Sequence, residues 1–236
     1  MEMKEIVAQG ASAFGVTLEE GALSQFQVYC DLLLEWNEKM NLTAIRKPEE
    51  VAVKHFVDSL SLLSVCIIPQ KANVIDIGTG AGFPGMPLKI ARDDLSLTLL
   101  DSLNKRLVFL RELAGRLGLK AELLHLRAEE GGRQPALRER FDVAVSRAVA
   151  SLNLLAEYCL PYVKVGGVFA SMKGPDVQEE LEQAKQAVSL LGGKIREVKT
   201  FALPDGSGRS VILIDKVAPT PGKYPRHGSK IAKRPL

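Results

Sequence analysis

Apolar residues recur at helical intervals along the first part of the chain. Through residues 26–40 this repeat forms one stripe along a predicted helix. Thr17-Leu-Glu-Glu20 has the spacing of a capping box and predicts the start of that helix. Pro48, which precedes two glutamates, predicts a second helix start, with the helix running toward Leu63. We therefore expect residues 1–70 to form a helical segment that packs on the rest of the protein.

From Asn73 onward, short apolar runs alternate with helical patterns. Apolar runs of this length are typical of strands that are covered on both faces. The predicted strands are Val74–Ile77, Leu97–Leu100, Ala121–Leu126, Val143–Val145, Val168–Met172, Ile195–Phe201 and Val211–Ile214. Leucines at helical spacing up to Gly118 predict one intervening helix, and a capping box at Asp176-Val-Gln-Glu179 predicts the start of another.

Only a turn at residues 204–208 separates the last two predicted strands, so they should pair as an antiparallel hairpin at one edge of the sheet. This ending is typical of doubly wound methyltransferases, whereas a dinucleotide dehydrogenase continues into a second mononucleotide-binding half. The predicted fold class is α/β, with a Rossmann-like methyltransferase sheet at residues 71–217. That sheet is mostly parallel, with an antiparallel edge hairpin, and the helical segment precedes it.

A glycine-rich turn follows the first predicted strand. Residues 80–85 match the pattern G-x-G-x-x-G, which alone is a weak sign of a dinucleotide site. Asp76 argues against a pyrophosphate, because it would place a negative charge in the site. A cationic ligand would tolerate this charge, and the turn resembles the first motif of methyltransferases that use S-adenosylmethionine. A purely structural turn is the alternative, although so many glycines are costly without a close approach to a ligand.

Polar residues also end the next predicted strands. Asp101 lies about twenty residues beyond the turn, where a carboxylate can accept hydrogen bonds from ribose hydroxyls, although it could instead cap the following helix. Arg127-Ala-Glu129 ends the third strand, where adenine would lie, or forms a charged surface loop. The fourth strand ends in Ser146-Arg-Ala148, without the Asp/Asn-Pro-Pro-aromatic motif of exocyclic-amine methylation. Guanine N7 needs no such device, because it has a free lone pair and no proton to remove.

Composition limits the class of protein. The 236 residues are 46% apolar and 25% charged, which fits a globular chain with one substantial core. The three cysteines are widely scattered, which favours buried thiols over disulfides or a zinc site, and we expect no metal. The apolar runs are too short to span a bilayer and the amino terminus lacks an apolar signal core, so we expect a cytoplasmic protein without a membrane partner.

Positive charge is concentrated at the carboxyl terminus. The formal net charge is only +3, but no acidic residue follows Asp215, whereas lysines, arginines and prolines are frequent there. We therefore expect residues 218–236 to form an extended basic tail that is suited to phosphate contacts. A solvated, frayed terminus is the alternative.

Several motifs in the same order resemble one family along nearly the whole chain. These motifs are Trp36–Ile45, His55–Ser59, the glycine turn, Leu100–Arg106, Arg127–Glu129, Ser146–Ala148, Met172–Gly174 and Lys223–Arg226. The chain is similar to the bacterial 16S rRNA (guanine-N7) methyltransferase family, RsmG, also called glucose-inhibited division protein B. The resemblance implies methyl transfer from S-adenosyl-L-methionine to N7 of a specific guanosine, in 16S ribosomal RNA or the small-subunit particle, by in-line displacement without a general base.

The resemblance also implies roles for individual residues. The implied cofactor contacts are Gly78, Phe83, Asp101, Ser102, Leu103, Ala128, Glu129 and Arg147, and Gly80 should approach the cofactor by its position in the turn. The candidate RNA contacts are His55, Asp58, Lys173, Lys223 and Arg226, although His55 could equally be a packing histidine. A small-molecule methyltransferase and a noncatalytic RNA- or nucleotide-binding module are the rival functions.

Overall fold

A seven-stranded mixed sheet forms the centre of the computed structural model, which describes residues 2–147 and 149–236. Its strands are β1 (Asn73–Ile77), β2 (Ser96–Asp101), β3 (Ala121–His125), β4 (Phe141–Arg147), β5 (Val163–Lys173), β6 (Gly193–Ala202) and β7 (Gly208–Lys216). Their order across the sheet is β3-β2-β1-β4-β5-β7-β6. Strands β1 to β5 are parallel, and β7 runs antiparallel to both β5 and β6. The predicted parallel sheet with an antiparallel edge hairpin is confirmed.

Helices cover both faces of the sheet. They are α1 (Met3–Ala13), α2 (Glu20–Met40), α3 (Pro48–Val51), α4 (Asp58–Leu60), α5 (Leu62–Val65), α6 (Gly85–Ala91), α7 (Asn104–Leu117), α8 (Ala128–Gly131), α9 (Leu152–Cys159), α10 (Gln178–Leu190) and α11 (Gly228–Lys233). Alternate strand residues enter different apolar layers, because successive side chains of a strand point to opposite faces. Val74 belongs to the apolar cluster that includes residues of α1, α2, α6 and α7, whereas Ile75 belongs to the cluster that includes residues of α9 and α10. The amino-terminal helices therefore belong to the same core as the sheet.

The two predicted capping boxes are wrong. Helix α2 begins two residues later than expected, with Glu19 instead of Thr17 as its N-cap, and α10 begins after Val177 instead of after Asp176. Neither N-cap makes a side-chain hydrogen bond. The spacing of a capping box is local, whereas the start of a helix also depends on its packing against neighbouring elements, which include α6 and α7 for α2 and α9 and β6 for α10. The predicted helix end at Gly118 is confirmed, and α2 ends at Met40, where the predicted apolar stripe also ends; the capping residues Asn41 and Gly118 both adopt the left-handed conformation.

The predicted helix from Pro48 to Leu63 is broken into shorter pieces. A π-helical stretch, Ala52–Val57, separates α3 from α4, and a further irregularity at Ser61 separates α4 from α5. A π-helical turn contains an extra residue and therefore changes which side chains face the core. This stretch carries His55 and leads directly into Asp58.

The carboxyl-terminal residues do not form an extended tail. Residues 217–236 fold back on the sheet domain, where Tyr224 and Ile231 are buried. Arg226 forms an ion pair with Glu157 of α9 at 2.6 Å. Arg138 donates hydrogen bonds to backbone carbonyls of the tail, including Tyr224 O at 2.9 Å. The apolar residues and these carbonyl contacts outweigh the repulsion among the basic side chains, which alone would favour an extended chain.

The remaining sequence features have simple structural outcomes. Cys30, Cys66 and Cys159 are free thiols in the core, as predicted. Among the described residues, no helix is long and apolar enough to cross a membrane.

Candidate functional site

The glycine turn leads from β1 into α6 at the carboxyl edge of the parallel strands. Gly78 and Gly80 both have positive φ angles, of 72° and 61°, which favour glycine. A side chain at Gly78 would collide with Val149, whereas a Cβ at Gly80 would enter open space. The amides of Gly78 and Thr79 donate to Leu100 O at 2.9 and 3.1 Å, which fixes the turn beside the end of β2. The backbone at Gly80 is therefore open to close approach by a ligand.

Asp76 lies beneath the glycine turn, in the interior of the protein, and does not line the cavity above the turn. Its side chain is fully buried, and Oδ2 accepts hydrogen bonds from Thr79 Oγ1 at 2.7 Å and from Gly85 N at 2.8 Å. Burial raises the pKa of this carboxyl to about 6. The prediction that Asp76 places its charge in the ligand site is wrong, because the Thr79 hydroxyl and the Gly85 amide, which both donate to Oδ2, hold the carboxylate inside the protein.

Asp101 joins the turn to the helix after β2. Its Oδ2 accepts from Gly80 N at 2.9 Å and from Arg106 Nη1 at 3.1 Å, and its Oδ1 accepts from Leu103 N at 2.9 Å. Arg106 Nη1 also lies 3.5 Å from Oδ1, so of the about four acceptor positions of a carboxylate three are firmly used and the fourth is held only by this long contact. The side chain is thus held rigidly and can still accept a hydrogen bond from a ligand hydroxyl.

One cavity of about 480 Å³ lies over the carboxyl ends of β1 to β4. This is the position where doubly wound α/β proteins bind their ligands, and the volume lies in the ordinary range for a small-molecule site. The predicted cofactor residues that line it are Gly78, Gly80, Phe83, Asp101, Ser102, Ala128, Glu129 and Arg147. Leu103 is exposed and lies outside this lining. Ala148 lies outside the described residues.

Ala128 and Glu129 begin α8 and form the wall of the cavity beyond β3. Glu129 is buried, and its Oε1 accepts from Arg127 Nε at 2.6 Å. The first residue of α11, Gly228, packs so closely on Glu129 that a Cβ there would overlap its carboxylate. Tyr158 of α9 completes this wall. The folded carboxyl-terminal residues therefore support one side of the cavity.

Arg147 at the end of β4 lies within a charged cluster on the other side of the cavity. Its guanidinium donates to Asp58 Oδ2 at 2.8 Å and to Lys54 O at 3.1 Å, and it lies 4.9 Å from the centre of the Phe83 ring. Arg209 of β7 donates to the second oxygen of Asp58 at 3.0 Å. One buried carboxylate thus faces two guanidinium groups, so these three side chains carry a net positive charge that favours an anionic ligand group.

His55 contacts both Arg147 and the aromatic wall of the cavity. Its ring stacks on Phe83 with centroids 4.4 Å apart, and Nδ1 lies 3.1 Å from Arg147 Nη2. Burial, together with the charge of Arg147, lowers the pKa of His55 to about 3. The imidazole is therefore neutral at physiological pH. It packs like a core residue and also lines the cavity, so its role as an RNA contact stays a prediction.

The five predicted RNA contacts have different surroundings. Asp58 is buried between its two arginines, Lys173 donates to Glu180 at 2.7 Å, and Arg226 is paired with Glu157. Each of these three side chains therefore already has an oppositely charged partner inside the protein, which disfavours direct contact with RNA. Lys223 is exposed, and His55 lines the cavity.

The site includes residues to which the sequence analysis gave no role. Thr43 lines the cavity beside His55, and Arg106 holds Asp101 from the first turn of α7. Thr43 belongs to a motif that was recognised only by its resemblance to the family. For Arg106, the available signal was its short distance in sequence from Asp101. Tyr158 had no such signal, because only the fold brings α9 to β3. Among the described residues, no group of three or more His, Cys, Asp or Glu side chains could hold a metal ion.

Comparison with known proteins identifies this arrangement. A family model described as rRNA small subunit methyltransferase G matches residues 22–208. Proteins called ribosomal RNA small subunit methyltransferase G are similar over the full length. The one from Alkaliphilus metalliredigens is 50% identical over 100% of both chains. The one from Lachnoclostridium phytofermentans is 54% identical over 97% of this chain and 95% of its own.

Solved structures share the fold at low sequence identity. TrmN from Thermus thermophilus has a TM-score of 0.54 and 19% identity over 68% of this chain and 48% of its own. NSun6 from Pyrococcus horikoshii, crystallised with SFG, has a TM-score of 0.52 and 16% identity over 64% and 49%. These likenesses support the fold, and the full-length relatives establish the family. The chain therefore belongs to the rRNA small subunit methyltransferase G family and is an S-adenosylmethionine-dependent methyltransferase of ribosomal RNA.

Proposed function

We propose that the cavity over β1 to β4 binds S-adenosylmethionine and one guanine of small-subunit 16S ribosomal RNA, and that the methyl group is transferred to guanine N7. One arrangement carries this proposal: the open backbone at Gly80 lies beside Asp101, with Arg147 and His55 on the opposite wall of the same cavity. When bound, the cofactor supplies an electrophilic methyl group on a sulfonium.

The residues of the cavity suit the parts of this cofactor. Asp101, next to Ser102, has one acceptor position that only a contact of 3.5 Å from Arg106 occupies, and a ribose hydroxyl can take this position. Ala128 and Glu129 form the wall where the adenine would lie in this fold, and the cluster of Arg147, Arg209 and Asp58 has the excess positive charge that an amino-acid carboxylate requires. Gly80 allows the ligand to approach the backbone of the turn closely, because a Cβ at this position would enter open space.

The chemistry at guanine N7 requires positioning more than proton transfer. N7 carries a lone pair without a proton, so no general base is needed. The described cavity agrees with this requirement, because the acceptor nitrogen of neutral His55 is already engaged by Arg147. Holding N7 in line with the methyl group converts the transfer into an effectively unimolecular step. The methylated base is cationic, and the pairing of Arg147 with Asp58 limits repulsion of that charge.

The RNA surface is proposed to include the exposed basic residues of the carboxyl-terminal segment. Lys223, Lys230 and Lys233 are exposed, and their segment supports the wall at Glu129. A guanine inside a folded RNA must leave its stack to enter a cavity of this kind. Either free 16S RNA or the small-subunit particle can supply such a base, and both place the enzyme in the cytoplasm.

A transfer assay tests this proposal. The purified protein is incubated with methyl-labelled S-adenosylmethionine and either 16S RNA or small-subunit particles, and the labelled nucleoside is identified. We expect label in guanosine, and we expect Asp101→Ala to abolish both cofactor binding and transfer, whereas Glu112→Gln on the outer face of α7 retains both. Binding of the cofactor without transfer to RNA would overturn the proposal and would favour a noncatalytic binding module. Label in small molecules alone would favour the other rival.

A further inference from the structure

A chain of hydrogen bonds runs from Arg147 through His55 to Thr43. An arginine guanidinium has donors only, so His55 Nδ1 must accept the hydrogen bond from Arg147 Nη2. A neutral imidazole that accepts at Nδ1 carries its hydrogen on Nε2. His55 Nε2 lies 2.7 Å from Thr43 Oγ1, and it therefore donates to this hydroxyl oxygen.

Thr43 Oγ1 is then fully used as an acceptor. It also accepts from Ile45 N at 3.1 Å, and a hydroxyl oxygen has only two lone pairs. The hydroxyl hydrogen has no acceptor among residues 2–147 and 149–236. A threonine hydroxyl is ordinarily both donor and acceptor, but here it can only donate. The partners of Thr43 thus give it a fixed hydrogen-bonding role.

Thr43 lines the cavity on the wall opposite Asp101, Ala128 and Glu129, the residues that are proposed to bind the nucleoside. Asp101, Ala128 and Glu129 come from β2, β3 and the residues after them, which lie on one side of β1. Arg147 comes from β4 on the other side of β1, and Thr43 is linked to it through His55. Thr43 is only partly buried and lines the cavity, so it is accessible to a base that enters there.

We propose that Thr43 selects guanine by donating its hydroxyl hydrogen to O6 of the target base, an inference that rests on the proposed N7 methylation. O6 is the acceptor next to N7 on the same edge of guanine, whereas adenine presents an amino donor there. A hydroxyl that cannot accept would meet that amino group donor to donor. Thr43 is thus a specificity-determining residue, positioned by His55 and Arg147, and it takes no part in bond making.

The test combines changes in Thr43 with changes in the base. RNA is prepared with guanosine, inosine or 2-aminopurine at the mapped target position, in whichever form, free or assembled, the wild-type enzyme accepts. Inosine keeps O6, and 2-aminopurine lacks it while retaining N7. We expect Thr43→Val to lower kcat/KM about tenfold on guanosine and on inosine, the effect of one hydrogen bond. On 2-aminopurine, the variant and the wild type should be equal. Thr43→Ser should restore the wild-type preference.

The combined design separates recognition of the base from a structural role. Thr43 also supports His55 and Ile45, so a purely structural role would lower kcat/KM by the same factor on all three bases, and this result would overturn the inference. Cofactor affinity should be unchanged in Thr43→Val, and Thr43→Ala provides a second variant if that protein fails to fold. Long single-turnover incubations keep slow transfer to 2-aminopurine measurable. If the wild type methylates no guanosine at all, the proposed function itself fails.

Discussion

At the scale of single residues, Asp58 joins the helical segment to the sheet. It bridges Arg147 of β4 and Arg209 of β7, which are 89 and 151 residues away in the chain. The resemblance to the family identified Asp58 as a residue of interest, but no local pattern could show its partners, because the fold alone brings them together. Asp101 is different, since its place at the end of an apolar run already predicted a position at the edge of the sheet.

Removing the Asp58 carboxylate should destabilise the protein strongly. Asp58→Ala would leave two guanidinium groups without their shared buried partner, and we expect the free energy of unfolding to fall by about 3 kcal/mol. Urea denaturation measures this change. Glu112→Ala, which removes the partner of Arg116 in an exposed pair, is the matched control and should change stability by less than about 1 kcal/mol. Equal effects of the two substitutions would show that the Asp58 cluster contributes no more than a surface ion pair.

The low pKa of His55 predicts a pH dependence of stability. The unfolded histidine titrates near 6.5, whereas the folded group titrates at about 3, so the unfolded state binds this proton first as the pH falls. Wild-type stability should therefore decline relative to His55→Gln below a pH of about 6.5 and stay parallel to it above that value. Urea denaturation at several pH values checks this, and parallel curves down to a pH of about 4 would contradict the neutral, buried imidazole.

At the scale of elements, local patterns predicted the strands well, whereas the carboxyl-terminal segment was misjudged. Strands β1, β2 and β4 could be predicted from their apolar runs alone, without knowledge of distant contacts. The docking of residues 217–236 depends on contacts with distant elements, such as the pair of Arg226 with Glu157 of α9, 69 residues apart. Charge composition alone therefore predicted an extended tail where the structure has a folded support for the cavity.

Loosening α11 should weaken both the fold and the site. Ile231 is fully buried, so Ile231→Ala should lower the free energy of unfolding by about 2–4 kcal/mol. It should also weaken the binding of S-adenosylhomocysteine, because Gly228 packs on Glu129 in the cavity wall. Denaturation and titration calorimetry measure the two effects. Val217→Ala, at a position that is 55% exposed, is the control and should change neither quantity. Unchanged affinity in Ile231→Ala would show that α11 does not support the site.

At the scale of the whole molecule, positive charge lies next to the cavity although the net charge is small. The exposed lysines of the carboxyl-terminal segment belong to an element that contacts Glu129 directly. By contrast, Lys120 precedes β3 and lies at the amino-terminal ends of the parallel strands, whereas the cavity lies over their carboxyl ends. An RNA that delivers a base to the cavity would therefore contact the exposed lysines of the carboxyl-terminal segment and not Lys120.

This difference in position predicts a difference in salt dependence. Each lysine that contacts a phosphate contributes about one to the slope of log K against log salt concentration. The double variant Lys230→Gln and Lys233→Gln should weaken RNA binding and reduce that slope by about two, while Lys120→Gln leaves the slope unchanged. Filter binding over a range of salt concentrations measures both. Equal slopes for the double variant and the wild type would place the RNA elsewhere on the surface.

Transfer of the methyl group to N7 of one guanosine is the central claim, and the lability of the product tests it most directly. Methylation at N7 makes the base cationic, so the RNA strand can be cleaved at that nucleotide by mild reduction followed by aniline. We expect one new cleavage site in 16S RNA, at a guanosine, after incubation with the wild-type enzyme and S-adenosylmethionine, and none with Asp101→Ala. Methyl incorporation without a cleavable guanosine would contradict the account, because it would place the methyl group on another atom.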